Sequence, residues 1–131
     1  MADSVGWPAE VIPDSDFVFM RAHRDHFPGG KLAPGLFRQR GGGMSVDWEK
    51  YSTPEETKNR AKQPADNAVV KLSAAGIRAI QPLRVEHTPD YPENRSHSDV
   101  FDMPTDESLV EVRVRLLRIT DVVIPTTPTA R

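Results

Sequence analysis

The sequence predicts a single α+β domain, a mixed and twisted sheet packed on two helices and joined by loops rich in proline. Three observations carry that expectation. Blocks of β-forming residues recur near 16–21, 68–72, 83–87 and 121–124, each of strand length. Two stretches open on helix-start signals, Thr53-Pro54-Glu55-Glu56 and Thr105-Asp106-Glu107. Twelve prolines in 131 residues are about twice the average share, which favours short elements and irregular connections. A chain of this length buries roughly two thirds of the surface its unfolded form exposes, enough for a core without covalent staples.

Taken in order, residues 1–15 carry Pro8 and Pro13 and are expected to form an extended arm, with Trp7 available to pack. Asp16-Phe-Val-Phe-Met-Arg21 reads as a strand, and its continuous apolar residues suit burial on both faces. Pro28-Gly29-Gly30 and Pro34-Gly35 are turns, and Leu36-Phe37 is a short strand or a core plug. Gly41-Gly42-Gly43 can take backbone angles closed to other residues, and the polar run Ser45-Val46-Asp47-Trp48 follows. Thr53 can cap a helix over about 54–62, with Pro54 at its first position and Glu56 placed for a capping box. Asn67 to Leu72 is a second strand. Ser73 caps a short turn from Ala74 to Ala79 that holds Ile77 and Ile80 toward the core. Leu83-Arg-Val-Glu-His87 alternates as a third strand. Pro89 and Pro92 enforce a loop through Asp99, and Val100-Phe101 is a brief strand. Over 106–120 two patterns compete. Val110, Val112, Val114 and Leu116 alternate, whereas helical spacing selects Leu109, Val112, Leu116, Leu117 and Thr120. Acids at the start and Arg113, Arg115 and Arg118 toward the end suit a helix dipole, so helix is expected. Val122 to Ile124 ends the domain as a strand, and 125–131 is expected to be a flexible tail. The domain is thus placed at 16–124.

The formal charge of −2 gives no general pull toward nucleic acid or an anionic membrane. Cysteine is absent, which removes disulfides, thiolate metal sites and a cysteine nucleophile. The N-terminus lacks a signal-peptide pattern, and no apolar run approaches the ~18 residues of a membrane span. A cytoplasmic protein is expected.

The chemistry-bearing residues crowd into three loops. All four histidines stand beside turn residues: His23 and His26 flank Arg24-Asp25, His87 ends a strand, and His97 lies in Asn94-Arg-Ser-His-Ser-Asp99. Together with Asp25 or Asp99 they would offer nitrogen and oxygen ligands to a divalent ion, but their spacing matches no metal motif and no metal ligand is assigned. Arg21, Arg24, Arg38, Arg40 and Arg95 supply fork donors for an anion, and the glycine triplet could present N–H groups to a phosphate. Neither a Walker pattern nor GxGxxG is present. Ser45 and Ser96 lack the G-x-S-x-G setting of a nucleophile elbow.

Two resemblances add to this reading. Gly-Met-Ser-Val-Asp-Trp-x-x-Tyr-x-Thr-Pro-Glu-Glu-Thr, followed by His-Thr-Pro and by Asn-Arg-Ser-His-Ser-Asp-Val, resembles a family of small uncharacterised bacterial proteins over most of 16–124. That likeness implies no activity. The chain is also similar to ADP-ribosyltransferase-like folds, including RES-type toxins and RNA 2′-phosphotransferases. Phe19-Met-Arg21 to His23 corresponds to their early Arg or His, Met44-Ser45-Val46-Asp47 with Tyr51 to their serine segment, and Asn94 to Asp99 to their late polar group. No Glu-x-Glu closes the pattern. What this resemblance implies is an NAD or nucleotide ligand, with a divalent metal ranked below.

The sequence therefore places Arg21, His23, Ser45, Asp47 and His97 as the catalytic candidates in one cleft. Arg38, Arg40, Tyr51, Asn94, Arg95 and Asp99 are the candidates for ligand contact. The expected role is nucleotide- or phosphate-directed binding or transfer; the alternative is a protein-interaction module, or an accessory subunit, that offers the three loops to a protein partner. Convergence of the loops on one hollow separates the two.

Overall fold

Every block of β-formers becomes a strand, and another forms where the sequence reads as a polar run. The computed structural model describes residues 6–127; the outer parts of the expected arm and tail, 1–5 and 128–131, lie outside the described residues. The strands are β1 (Phe17–His23), β2 (Met44–Trp48), β3 (Asn67–Ser73), β4 (Arg84–His87), β5 (His97–Phe101) and β6 (Asp121–Ile124). The helices are α1 (Pro54–Asn59), α2 (Ala74–Arg78) and α3 (Leu109–Arg118). Short 3-10 turns at Pro28–Gly30, Pro34–Leu36 and Pro64–Asp66 each begin on proline, and a fourth spans Arg24–His26.

The α+β class is as expected, but the sheet is antiparallel rather than mixed. Its order is β4-β5-β2-β1-β3-β6, and every neighbouring pair is antiparallel. Each helix does return the chain to lay its next strand parallel to the last. The two strands it joins are never neighbours, because an antiparallel strand always stands between them: β1 separates β2 from β3, and β5 runs at the far side of the sheet from β6. Helical crossovers in the sequence specify direction, not adjacency.

Strand alternation divides the sheet into two faces. One face carries Val18, Met20 and Ala22 of β1, Met44, Val46 and Trp48 of β2, Ala68, Val70 and Leu72 of β3, with Val85 and Val100. Ile77 of α2 and Val112 and Leu116 of α3 join them in one core. Phe37 is fully buried there as a plug behind the Pro34–Leu36 turn. The opposite face carries Phe19 and Val69, buried outside that core, and α1 packs against β1 and β3.

Helix α1 begins as its sequence requires. Thr53 Oγ1 accepts from the Glu56 N–H at 3.1 Å, and Glu56 Oε1 accepts from the Thr53 N–H at 2.8 Å. It ends at Asn59, short of the expected 62, because Lys58 Nζ donates to the carbonyls of Pro64 and Asn67 and draws the chain into the next turn. Helix α3 starts at Leu109 rather than 106; Asp106 instead accepts from the Ser108 N–H at 3.0 Å in a preceding turn. Val112 and Leu116, four apart, face the core while Val110 is exposed, so the alternating valines are incidental to a helical stripe.

The N-terminal arm is clasped to the sheet. Ile12 is buried in the core, the Glu10 N–H donates to His87 Nδ1 at 3.0 Å, and Trp48 Nε1 donates to Asp16 at 2.9 Å. The Glu10 carboxylate accepts from Lys50 and from the Tyr51 hydroxyl. The hydrogen bond from Lys50, then that from Tyr51, holds its pKa below the ordinary value of 4.5. A carboxyl with a depressed folded pKa stabilises the fold above its unfolded pKa, and that contribution is lost as pH falls through the folded value. Glu10→Gln is therefore expected to lower the urea midpoint at neutral pH, and the difference from the native chain should shrink as the pH is brought below 4.5.

Candidate functional site

The face opposite the core holds a cleft of about 660 Å³, within the range of about 300–1,000 Å³ usual for small-molecule sites. Its floor is laid down by strand register. Phe19 pairs with Asp47, Asp47 with His97, and Ser45 with Asp99, which turns all of these side chains to the same side. Arg21 and His23, two and four residues beyond Phe19, share that side. Eight of the eleven residues singled out from the sequence line the cleft: Arg21, His23, Arg38, Arg40, Ser45, Asp47, Asn94 and His97.

Three arginines line it, Arg21, Arg38 and Arg40, and among the described residues none of the three forms an ion pair. Arg21 Nη1 donates only to the Thr57 carbonyl, at 3.1 Å. Asp90 and Glu93 line the cleft from the 88–96 loop, which is anchored at Asp47. His26 also lines the cleft, and its pKa is pushed below 6.5, first by burial and then by the nearby charge of Arg38.

Asp47 is buried and fully engaged. Its Oδ2 accepts from Thr57 Oγ1 and Arg60 Nη1, each at 2.8 Å, and its Oδ1 accepts from Asn94 Nδ2 at 2.9 Å. One carboxylate thus ties β2 to α1 and to the 88–96 loop. Asn94 in turn accepts from the Ser96 N–H at 3.0 Å, so its amide is a bracket inside that loop.

His97 is held at both nitrogens. Nδ1 stands 2.8 Å from the Thr88 carbonyl and 3.1 Å from Thr88 Oγ1. A carbonyl only accepts, so Nδ1 carries a proton. In the neutral ring Nε2 is then an acceptor, and Ser45 Oγ lies 3.3 Å from it. Thr88 Oγ1 donates onward to Asp99 Oδ2 at 2.7 Å.

Comparison of the chain with family models, curated proteins and solved structures returns no match. The functional reading rests on geometry.

Three residues singled out from the sequence stand elsewhere. Tyr51 belongs to the N-terminal clasp, its hydroxyl on Glu10, and the Arg95 guanidinium lies over the Tyr51 ring at 4.3 Å. Asp99 sits behind His97 on Thr88 and against the backbone of Gly43, where an added Cβ would come within 2.9 Å of it. The glycine triplet is not a phosphate cradle. Gly41, at φ +64, helps form a tight turn in which the Gly42 and Gly43 N–H groups both point to the Arg40 carbonyl. His87 is buried on the core face, stacked on Tyr51, and among the described residues no three metal-ligating side chains come together.

Sequence reasoning missed Thr57, Arg60 and Thr88. Thr57 and Arg60 lie three apart in and just past α1, the spacing of one helix face, which is a usable signal once a buried carboxylate is suspected. Nothing local marks Thr88, whose role depends on the pairing of β4 with β5.

Proposed function

We propose that the cleft binds a nucleoside phosphate, with NAD and ADP-ribose in the same class. The observation that carries this is that Arg21, Arg38 and Arg40, without acidic partners among the described residues, all line one concave site. Guanidinium groups are suited to phosphate oxygens because their planar fork donates two parallel hydrogen bonds. Asp90 and Glu93, which also line it, can accept from ribose hydroxyls or an exocyclic amine, the opposite demand to that of a phosphate. The reading also explains why the polar side chains of β1, β2 and β5 face one hollow, whereas the exposed large apolar residues Val11, Tyr91, Val110, Val122 and Val123 belong to four separate segments.

Titration calorimetry with AMP, ADP, NAD, ADP-ribose and inorganic phosphate tests the reading, with adenosine as the uncharged control. Binding of at least one nucleoside phosphate and none of adenosine is expected; no heat with any of the set would end the proposal. A pH signature should accompany binding. The ligand's negative charge offsets Arg38 and Arg40 and so raises the pKa of His26 from its depressed position below 6.5. With NAD or ADP-ribose, whose phosphates carry no proton to lose in that range, the complex then holds more protons than its free components, and affinity rises as pH falls through it. The His26 ring resonances, titrated with and without ligand, report the shift directly.

A further inference from the structure

We propose that Ser45 is a nucleophile activated by His97, and that the cleft opens a phosphoanhydride bond of its ligand; this rests on the phosphate reading given above. Ser45 is exposed on the cleft floor while His97 is partly buried beside it, so the hydroxyl is the group that meets an incoming molecule. The requirements of such a pair are a hydroxyl within reach of a base, and a base whose far nitrogen is oriented by a third group. Ser45 Oγ is 3.3 Å from His97 Nε2, a separation of the loose kind found before a ligand tightens the site. His97 Nδ1 is fixed by the Thr88 carbonyl at 2.8 Å, which selects the tautomer with Nε2 free to take a proton. Thr88 passes the chain of hydrogen bonds to Asp99 and is a positioning residue. Two positions beyond the Phe19–Asp47 pair, Arg21 stands on the same face as Ser45, where its charge can meet the oxygens of a transferring phosphoryl group.

The step balances without an oxidant or reductant. Ser45 Oγ attacks phosphorus, the Oγ–P bond forms, and the P–O bond to the leaving phosphate breaks. The hydroxyl proton goes to His97 Nε2 and from there to the leaving oxygen. Water then attacks the phosphoserine, giving its proton to His97, and Ser45 departs with that proton. The sum is hydrolysis of one phosphoanhydride by one water.

The test is covalent trapping by a fluorophosphonate, located by peptide mass spectrometry, alongside the phosphorus NMR spectrum of ADP incubated with the full chain. A single adduct on Ser45 is expected, absent in Ser45→Ala. In His97→Ala trapping should slow by about 10²-fold or more, the usual contribution of a general base. Because His97→Ala could also disturb the 88–96 loop, added imidazole is the deciding arm. Imidazole should restore trapping in His97→Ala but not in Ser45→Ala, a rescue that a merely structural histidine would not allow. No adduct on Ser45, or an adduct formed equally fast without His97, would overturn the proposal. So would ADP left intact by the native chain. Phosphate ligands that bind in calorimetry without trapping at Ser45 would remove the nucleophile alone, whereas trapping without any ligand binding would remove the phosphate reading.

Discussion

Asp47→Ala is expected to destabilise the fold by about 1–3 kcal/mol, the range found when a buried polar group loses its hydrogen-bond partner. The side chain is only 7% exposed, and its ion pair with Arg60 spans 2.8 Å. Alanine would leave Arg60, Thr57 and Asn94 with donors directed at an empty volume. Arg60 and Asn94 are partly solvent-exposed and can recover some hydration. Thr57 is buried, so its loss must be met inside the protein, apart from its hydrogen bond to Ser52. Asp47→Asn is the informative companion. The amide keeps the volume and one acceptor, but it brings a donor toward Arg60 or Asn94 whichever way it is turned. Urea denaturation should rank native above Asp47→Asn above Asp47→Ala. An Asp47→Ala chain as stable as the native one would show that the carboxylate does not hold the cleft together, and would return it to the list of groups acting on a ligand.

The paired substitution Arg38→Ala and Arg40→Ala is expected to weaken nucleoside phosphate binding by about 100-fold. A hydrogen bond to a charged group contributes about 1.5–3 kcal/mol. Both arginines are exposed, so the low end applies, and two such bonds give about 3 kcal/mol, or roughly two powers of ten. Stability should change little, because neither side chain makes a hydrogen bond to another described residue. The same variant carries an internal check that needs no ligand. Arg38 and Arg40 both push the pKa of His26 down, so removing them should raise it toward 6.5, leaving only the effects of burial and His23 against that of Asp25. A His26 pKa that does not move would mean that the two guanidiniums do not share the cleft with it.

The capping signal at Thr53-Pro54-Glu55-Glu56 and the blocks of β-formers at 16–21 and 67–72 were legible because they are local. A capping box needs only residues three apart, and a strand of continuous apolar residues declares its burial without reference to its neighbours. The convergence of Arg21, His23, Ser45 and His97 was legible in part for a second reason: alternation turns charged and polar strand residues to the side of the sheet away from its apolar residues, although His87 is buried on the core side. The strand over 44–48 was harder to see. Its aspartate, rare in strands, is tolerated there because Thr57, Arg60 and Asn94 supply the donors, and these lie in and just past α1 and in the 88–96 loop, which only the tertiary fold brings near.

By itself, then, the chain determined its α+β character, the start of α1, the stripe of α3 and the set of cationic and imidazole groups from which a site could be drawn. Strand order, the two-faced division of the sheet and the separate fates of Tyr51, Arg95 and Asp99 were decided by tertiary structure alone. The physical reason is range. Caps and periodicity act between residues a turn or a pleat apart, whereas the pairing of β2 with β1 and β5 sets Asp47 against His97 across fifty positions of chain, and no local preference encodes which partner a strand edge will meet.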